Sequence, residues 1–150
     1  AAGDLPRVAE HGASLLLSPN RTAYLDRPHG DGSVLPEQDA ARSRLGLQVY
    51  PASTLAEMLD WSPFTVAPGI PAEQLAGVEA AMWCETVETM DDLELLVMPR
   101  LPGVAQAAWS PSAATTWDDH RARLAQHAAI WDRAGWNWYR ADSVEWPEPD

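Results

Sequence analysis

Two short stretches couple an aromatic ring to a carboxylate at the same spacing, Tyr24-Leu25-Asp26 and Trp83-Cys84-Glu85. In an extended segment residues i and i+2 point to one side, so each stretch would present a ring beside an acid. Such a couple suits a sugar. The C–H face of a pyranose packs on an aromatic ring, and its hydroxyls donate to a carboxylate. Taken singly, Tyr24 reads as a core tyrosine and Asp26 as a turn residue; the repetition is what favours binding. Residue type excludes other chemistry. All ten basic residues are arginines, so there is no Schiff-base lysine and no Walker-type phosphate lysine. Cys84 is the single cysteine, which removes an internal disulfide and a Cys-based zinc cluster. His120 and His127 share a helix face without a third ligand, a poor spacing for a metal. Neither metal nor cofactor is expected.

The elements that would carry these residues alternate between helix and strand. Leu5 to Gly12 reads as a helix end, and Leu15-Leu16-Leu17-Ser18-Pro19 as a strand buried on both faces. Residues 22–26 are expected to be extended, and residues 27–44, with Pro28, Gly30, Gly32 and Pro36, to be loop. Within it, His29-Gly30-Asp31 reads as a solvated turn. Thr54-Leu55-Ala56-Glu57 is a capping box opening a short helix through Trp61. Leu75 to Trp83 is a second candidate buried strand, with helix as its competitor because of its alanines. Thr89 caps a helix from Met90 to Met98 that Pro99 ends or kinks. Asp91 and Asp92 sit in its first turn, where the dipole favours acids. Thr116 caps the clearest helix, Trp117 to Ala134, with His120, Leu124, His127 and Trp131 along one face and Gly135 as its stop. This order is that of α/β units with a parallel sheet. The tail from Glu145 is expected to fray.

The formal charge is −12, without a basic stripe, which argues against nucleic acid and anionic membrane as partners. No apolar run approaches the roughly 18 residues of a membrane span. Arg-only basicity with many alanines and prolines suggests a GC-rich bacterial genome.

In order and spacing the chain resembles family 20 glycoside hydrolases, the β-N-acetylhexosaminidases. Leu15-Leu16-Leu17-Ser18-Pro19 leading to Ala23-Tyr24-Leu25-Asp26 is similar to their seventh strand, and Gly77 to Glu85 to their eighth. Pro99-Arg100-Leu101 through Trp109-Ser110 resembles the segment that follows, and Gly135 to Tyr139 the closing element. The resemblance implies the C-terminal portion of a (β/α)₈ TIM barrel over residues 1–140, about the last two strands with their helices, and a tail over 141–150. A complete barrel needs roughly 250 residues, so the missing N-terminal barrel portion is an expected partner. The implied reaction is retaining hydrolysis of terminal β-linked N-acetylglucosamine or N-acetylgalactosamine. The substrate's own acetamido oxygen is the nucleophile and an oxazolinium the intermediate, an exception to the two-carboxylate scheme. By this resemblance Tyr24 is the candidate catalytic residue, aiming the acetamido oxygen. Asp26 and Glu85 would bind ring hydroxyls around O4 and O6, and Trp83 would lie beneath the sugar. The family's catalytic Asp-Glu doublet on the fourth strand is expected to lie outside this chain. Cys84 stands where Ser or Thr is commoner, Gln106 where Glu is usual, and Val49 or Tyr50 near a usual Trp. Arg100 is expected to pair with a carboxylate inside the barrel. The remaining tryptophans, among them Trp109 and Trp136, are expected in the core or packed between helices. The alternatives are a non-catalytic carbohydrate-binding module and an acidic α/β interaction module.

Overall fold

The computed structural model describes residues 4–109 and 116–148. Ala1–Gly3, Ser110 and the last two residues of the expected tail lie outside the described residues.

A short helix α1 (Leu5–Glu10) leads into strand β1 (Leu15–Leu17). Three helices follow: α2 (Pro36–Arg42), α3 (Leu55–Leu59) and the single turn α4 (Pro63–Val66). Strand β2 (Leu75–Val78) lies parallel to β1, with Leu15 opposite Leu75, Leu16 opposite Gly77 and Leu17 opposite Val78. Residues 75–78 are thus strand and not helix, although the strand stops short of Trp83. The helices α5 (Met90–Val97), α6 (Arg100–Trp109) and α7 (Trp117–Arg133) complete the described chain. A cis Met98-Pro99 peptide separates α5 from α6.

The helix starts follow from local chemistry. Thr54, Thr89 and Thr116 each accept from the N3 amide, and Glu57, Asp92 and Asp119 return the bond. Asp92 therefore does more than favour a dipole. It is 2% exposed, caps α5 and pairs with Arg44 from the end of α2. Three helices, α2, α4 and α6, lie where loop or no element was expected, each with a proline in its first turn. Pro36 begins α2 at its first position, where a missing amide hydrogen costs nothing. Pro102 likewise sits in the first turn of α6. A Cβ at the next residue, Gly103, would come within 2.5 Å of the Leu59 side chain, so this glycine lets α3 and α6 pack closely.

The main core gathers Leu55, Met58, Leu96, Val104, Trp131 and Trp138, all buried, from α3, α5, α6, α7 and the closing segment. On α7 the buried face is His120, Leu124, Ala128 and Trp131, while His127, expected on that face, is exposed. Past Gly135 the chain stays packed as far as Trp146. Ala141 and Val144 are buried, and the Trp146 ring packs 4.6 Å from that of Trp138. Trp109 and Trp136 are exposed, against the expectation that they pack in the core or between helices.

The small sheet is covered unevenly. Leu17 joins a second cluster with Ala9, Ala67 and Ile70, whereas Leu16 is 59% exposed. β1 is therefore not buried on both faces. A two-stranded sheet has two free edges, and here one face also lacks a covering layer. Among the described residues no helix is long and apolar enough to cross a membrane.

Candidate active site

Parallel pairing resumes beyond the regular strands. Glu79 donates its amide to Leu17, and after the turn at residues 18–22 Tyr24 bridges Ala81. The Leu25 amide donates to Ala81 O at 2.8 Å, and the Ala81 amide to Ala23 O at 2.9 Å. This register sets Tyr24-Leu25-Asp26 alongside the start of the Trp83 loop. Neither ring–acid stretch is itself a strand. Residues 25 and 26 turn, and Cys84 takes a φ of 64°, a left-handed conformation uncommon outside glycine. The same-side rule for extended chain accordingly does not govern Trp83 and Glu85. Cys84 is exposed, not packed behind Trp83 as a small spacer would be.

What the register brings together is ring against ring and acid against acid. The Tyr24 and Trp83 rings lie 5.9 Å apart at 58°, and Tyr50 meets Tyr24 edge-on at 6.2 Å and 84°. Trp83 is 59% exposed, a large apolar surface open to a ligand. Asp26 is 1% exposed, and neither carboxylate oxygen finds a hydrogen-bond partner of good geometry among the described residues. Burial raises its pKa from the ordinary aspartate value. Its own amide opposes the rise, the Glu85 carboxylate adds to it, and the Trp83 amide again opposes it. A buried carboxyl left unpartnered beside a second carboxylate costs free energy, and such arrangements concentrate at functional sites. Glu85 is exposed.

The loop at residues 45–50 ties the two acid-bearing segments together. The Leu47 amide donates to Asp26 O at 2.7 Å, and the Gly46 amide to Thr86 Oγ1 at 2.9 Å. Gly46 has φ +86°, and a Cβ there would lie 2.5 Å from Pro28 N, against backbone that cannot yield. In the same loop Val49 is 78% exposed, and Tyr50 carries the Arg27 guanidinium over its ring at 5.2 Å.

Behind the site lies a buried polar layer whose partners the sequence does not disclose. Arg27 donates Nε to Ser53 Oγ at 2.8 Å and Nη2 to Pro51 O at 2.7 Å. Arg100, fully buried, was expected to pair with a carboxylate, but among the described residues it forms no ion pair. It donates to the carbonyls of Leu25, Arg27 and Ser53 instead. His29 and Asp31 are buried, not solvated: residues 28–30 pair with Ser53, and Asp31 accepts the Leu55 amide at 2.6 Å. The His29 ring stacks 3.8 Å from Tyr139 at 15° and bonds Leu95 O through Nε2 at 2.8 Å. Among the described residues no three His, Cys, Asp or Glu side chains converge as a metal would need.

Residues 2–112 match the model of glycosyl hydrolase family 20, catalytic domain. The chain is 40% identical over 142 residues to a β-N-acetylhexosaminidase of Cellulomonas fimi, covering 95% of this chain and 27% of that protein. Over 127 residues it is 26% identical to a β-hexosaminidase of Akkermansia muciniphila, covering 85% and 24%. Among solved structures it resembles the Streptomyces plicatus N-acetyl-β-hexosaminidase in complex with Thio-NAglucal, with TM-score 0.81 and 36% identity over 97% of this chain and 27% of that one. A mutant of the same enzyme in complex with product (GlcNAc) matches equally well. The chain thus spans about a quarter of the relatives it matches, and it belongs to glycosyl hydrolase family 20, by its catalytic domain.

Proposed function

We propose that this chain is the closing portion of a family 20 barrel and supplies the sugar-binding side of a β-N-acetylhexosaminidase site. The observation that carries this reading is the convergence of Tyr24, Trp83, Asp26 and Glu85 from two segments of chain. Trp83 is the platform for the apolar face of the sugar. Asp26 and Glu85 accept its hydroxyls, and Tyr24 donates to the acetamido oxygen, which attacks the anomeric carbon to give an oxazolinium. A donor held where charge develops lowers the barrier without reorganising. The acid that protonates the leaving group and the Asp that steadies the acetamido nitrogen belong to the preceding barrel strands. Those strands also cover the open face at Leu16. The N-acetylglucosamine bound by the Streptomyces plicatus relative supports the substrate class.

The test is hydrolysis of an aryl β-N-acetylglucosaminide. The complete polypeptide should cleave it with retention, and residues 1–150 alone should not. Turnover by the isolated chain would refute the division of labour; no turnover by either would refute the activity.

A further inference from the structure

We propose that Arg100 is a positioning residue whose task is to aim Asp26, an inference that depends on the sugar-site reading above. Arg100 is 0% exposed, and its guanidinium donates only to carbonyls: Nη1 to Leu25 O at 3.0 Å and to Arg27 O at 2.5 Å, and Nη2 to Ser53 O at 3.4 Å. The first two flank Asp26. The carbonyl of Asp26 itself accepts the Leu47 amide at 2.7 Å. Three successive carbonyls, of residues 25, 26 and 27, are therefore fixed, two of them by one guanidinium group.

That matters because no hydrogen bond of good geometry aims the Asp26 side chain, although the amides of Asp26 and Trp83 and the Glu85 carboxyl lie close enough to act on it. Both of its oxygens are buried without a hydrogen-bond partner among the described residues. The direction of the carboxylate is then set by its backbone, and the backbone by Arg100 and Leu47. Packing alone does not account for the arginine. A buried guanidinium without a carboxylate loses its hydration for carbonyl bonds only, and an apolar side chain of similar length would fill the space at lower cost. What such a side chain could not do is bond the Leu25 and Arg27 carbonyls through Nη1 while Nη2 reaches Ser53 O. Lysine, a point charge on a flexible stem, lacks the second nitrogen that reaches Ser53 O and would hold the two carbonyls less rigidly.

The experiment is a double-mutant cycle in the complete polypeptide, reading kcat and KM on an aryl β-N-acetylglucosaminide for Arg100→Lys, Asp26→Asn and the double variant. If Arg100 acts through Asp26, Arg100→Lys lowers kcat/KM on the order of ten-fold. The double variant then stays within about two-fold of Asp26→Asn alone, because the group being aimed is already lost. Losses that multiply in the double variant overturn the inference and leave Arg100 a folding residue. Wild-type kinetics for Asp26→Asn would remove the sugar-site reading, and this inference with it. Should Arg100→Lys not fold, a crystal structure of the wild-type polypeptide with N-acetylglucosamine decides. Both Nη1 bonds must persist with the sugar on Asp26, and their absence there overturns the inference.

Discussion

The Tyr24 and Trp83 rings meet at 5.9 Å because Tyr24 pairs with Ala81, two residues before Trp83. A single backbone register thereby builds one wall of the site from two segments distant in sequence. Anything that slips this register separates the rings and draws Asp26 away from Glu85.

If Tyr24 aims the acetamido oxygen, its hydroxyl acts in the transition state more than in the bound ground state. Tyr24→Phe keeps the ring contact with Trp83 and removes only the donor. In the complete polypeptide kcat should fall about 100-fold, or roughly 3 kcal/mol, with KM little changed. Steady-state kinetics with an aryl β-N-acetylglucosaminide checks this, and an unchanged kcat would assign Tyr24 to packing.

The four proposed site residues stood out in the sequence, but for a reason that the backbone does not respect. Spacing i, i+2 points to one side only in extended chain, and the left-handed turn at Cys84 breaks that condition for Trp83 and Glu85. Their convergence with Tyr24 and Asp26 comes from parallel pairing, which no local pattern encodes. The threonine-capped helices were legible because a capping box is complete within four residues. α2 and α6 were not, since Pro36, Pro102 and Gly103 read as breakers until their places in the first turn are known. The burial of His29, Asp31 and Arg100 was hidden for a similar reason. Their partners are carbonyls and amides of remote segments, and such groups exist at every residue. Leu16 misled in the opposite direction: its type suits a covered strand, but the layer that would cover it is not among the described residues.

Gly46 joins the two acid-bearing segments through its left-handed backbone and its contact with the Arg27-Pro28 peptide. Gly46→Ala should destabilise the complete polypeptide by more than about 2 kcal/mol, because both strain and a backbone clash oppose the methyl group. Residual activity should show a raised KM as Asp26 and Glu85 lose their spacing. Denaturant melts with parallel kinetics would measure both, and an unchanged midpoint would contradict the close approach.

Acid should weaken the fold in two windows. His29 donates Nε2–H to Leu95 O, so Nδ1 is the unprotonated nitrogen, and it has no partner among the described residues. Burial, then the positive charge of Arg100, holds its pKa well below 6.5, with Arg42 adding to the effect and the Leu95 carbonyl opposing it. The unfolded chain thus takes up the proton first. Stability is full above about 6.5 and falls as pH drops from there toward the folded value. Asp92 behaves as a carboxylate held down to about 2, chiefly by Arg44. Its contribution is present above about 3.9 and is lost as pH falls through about 2. Urea midpoints across pH 8 to 3 should decline first below about 6.5. His29→Gln, which can still donate to Leu95 O but does not titrate, should flatten that first decline; a slope that survives the substitution would place its origin elsewhere.

The most direct test of the account is the position of the sugar in a crystal structure of the complete polypeptide with N-acetylglucosamine. The pyranose face should lie on the Trp83 ring, with the Asp26 and Glu85 carboxylates within about 3 Å of ring hydroxyls and the Tyr24 hydroxyl on the acetamido oxygen. A sugar bound away from these four side chains, or one that leaves Trp83 exposed as it is now, would contradict it.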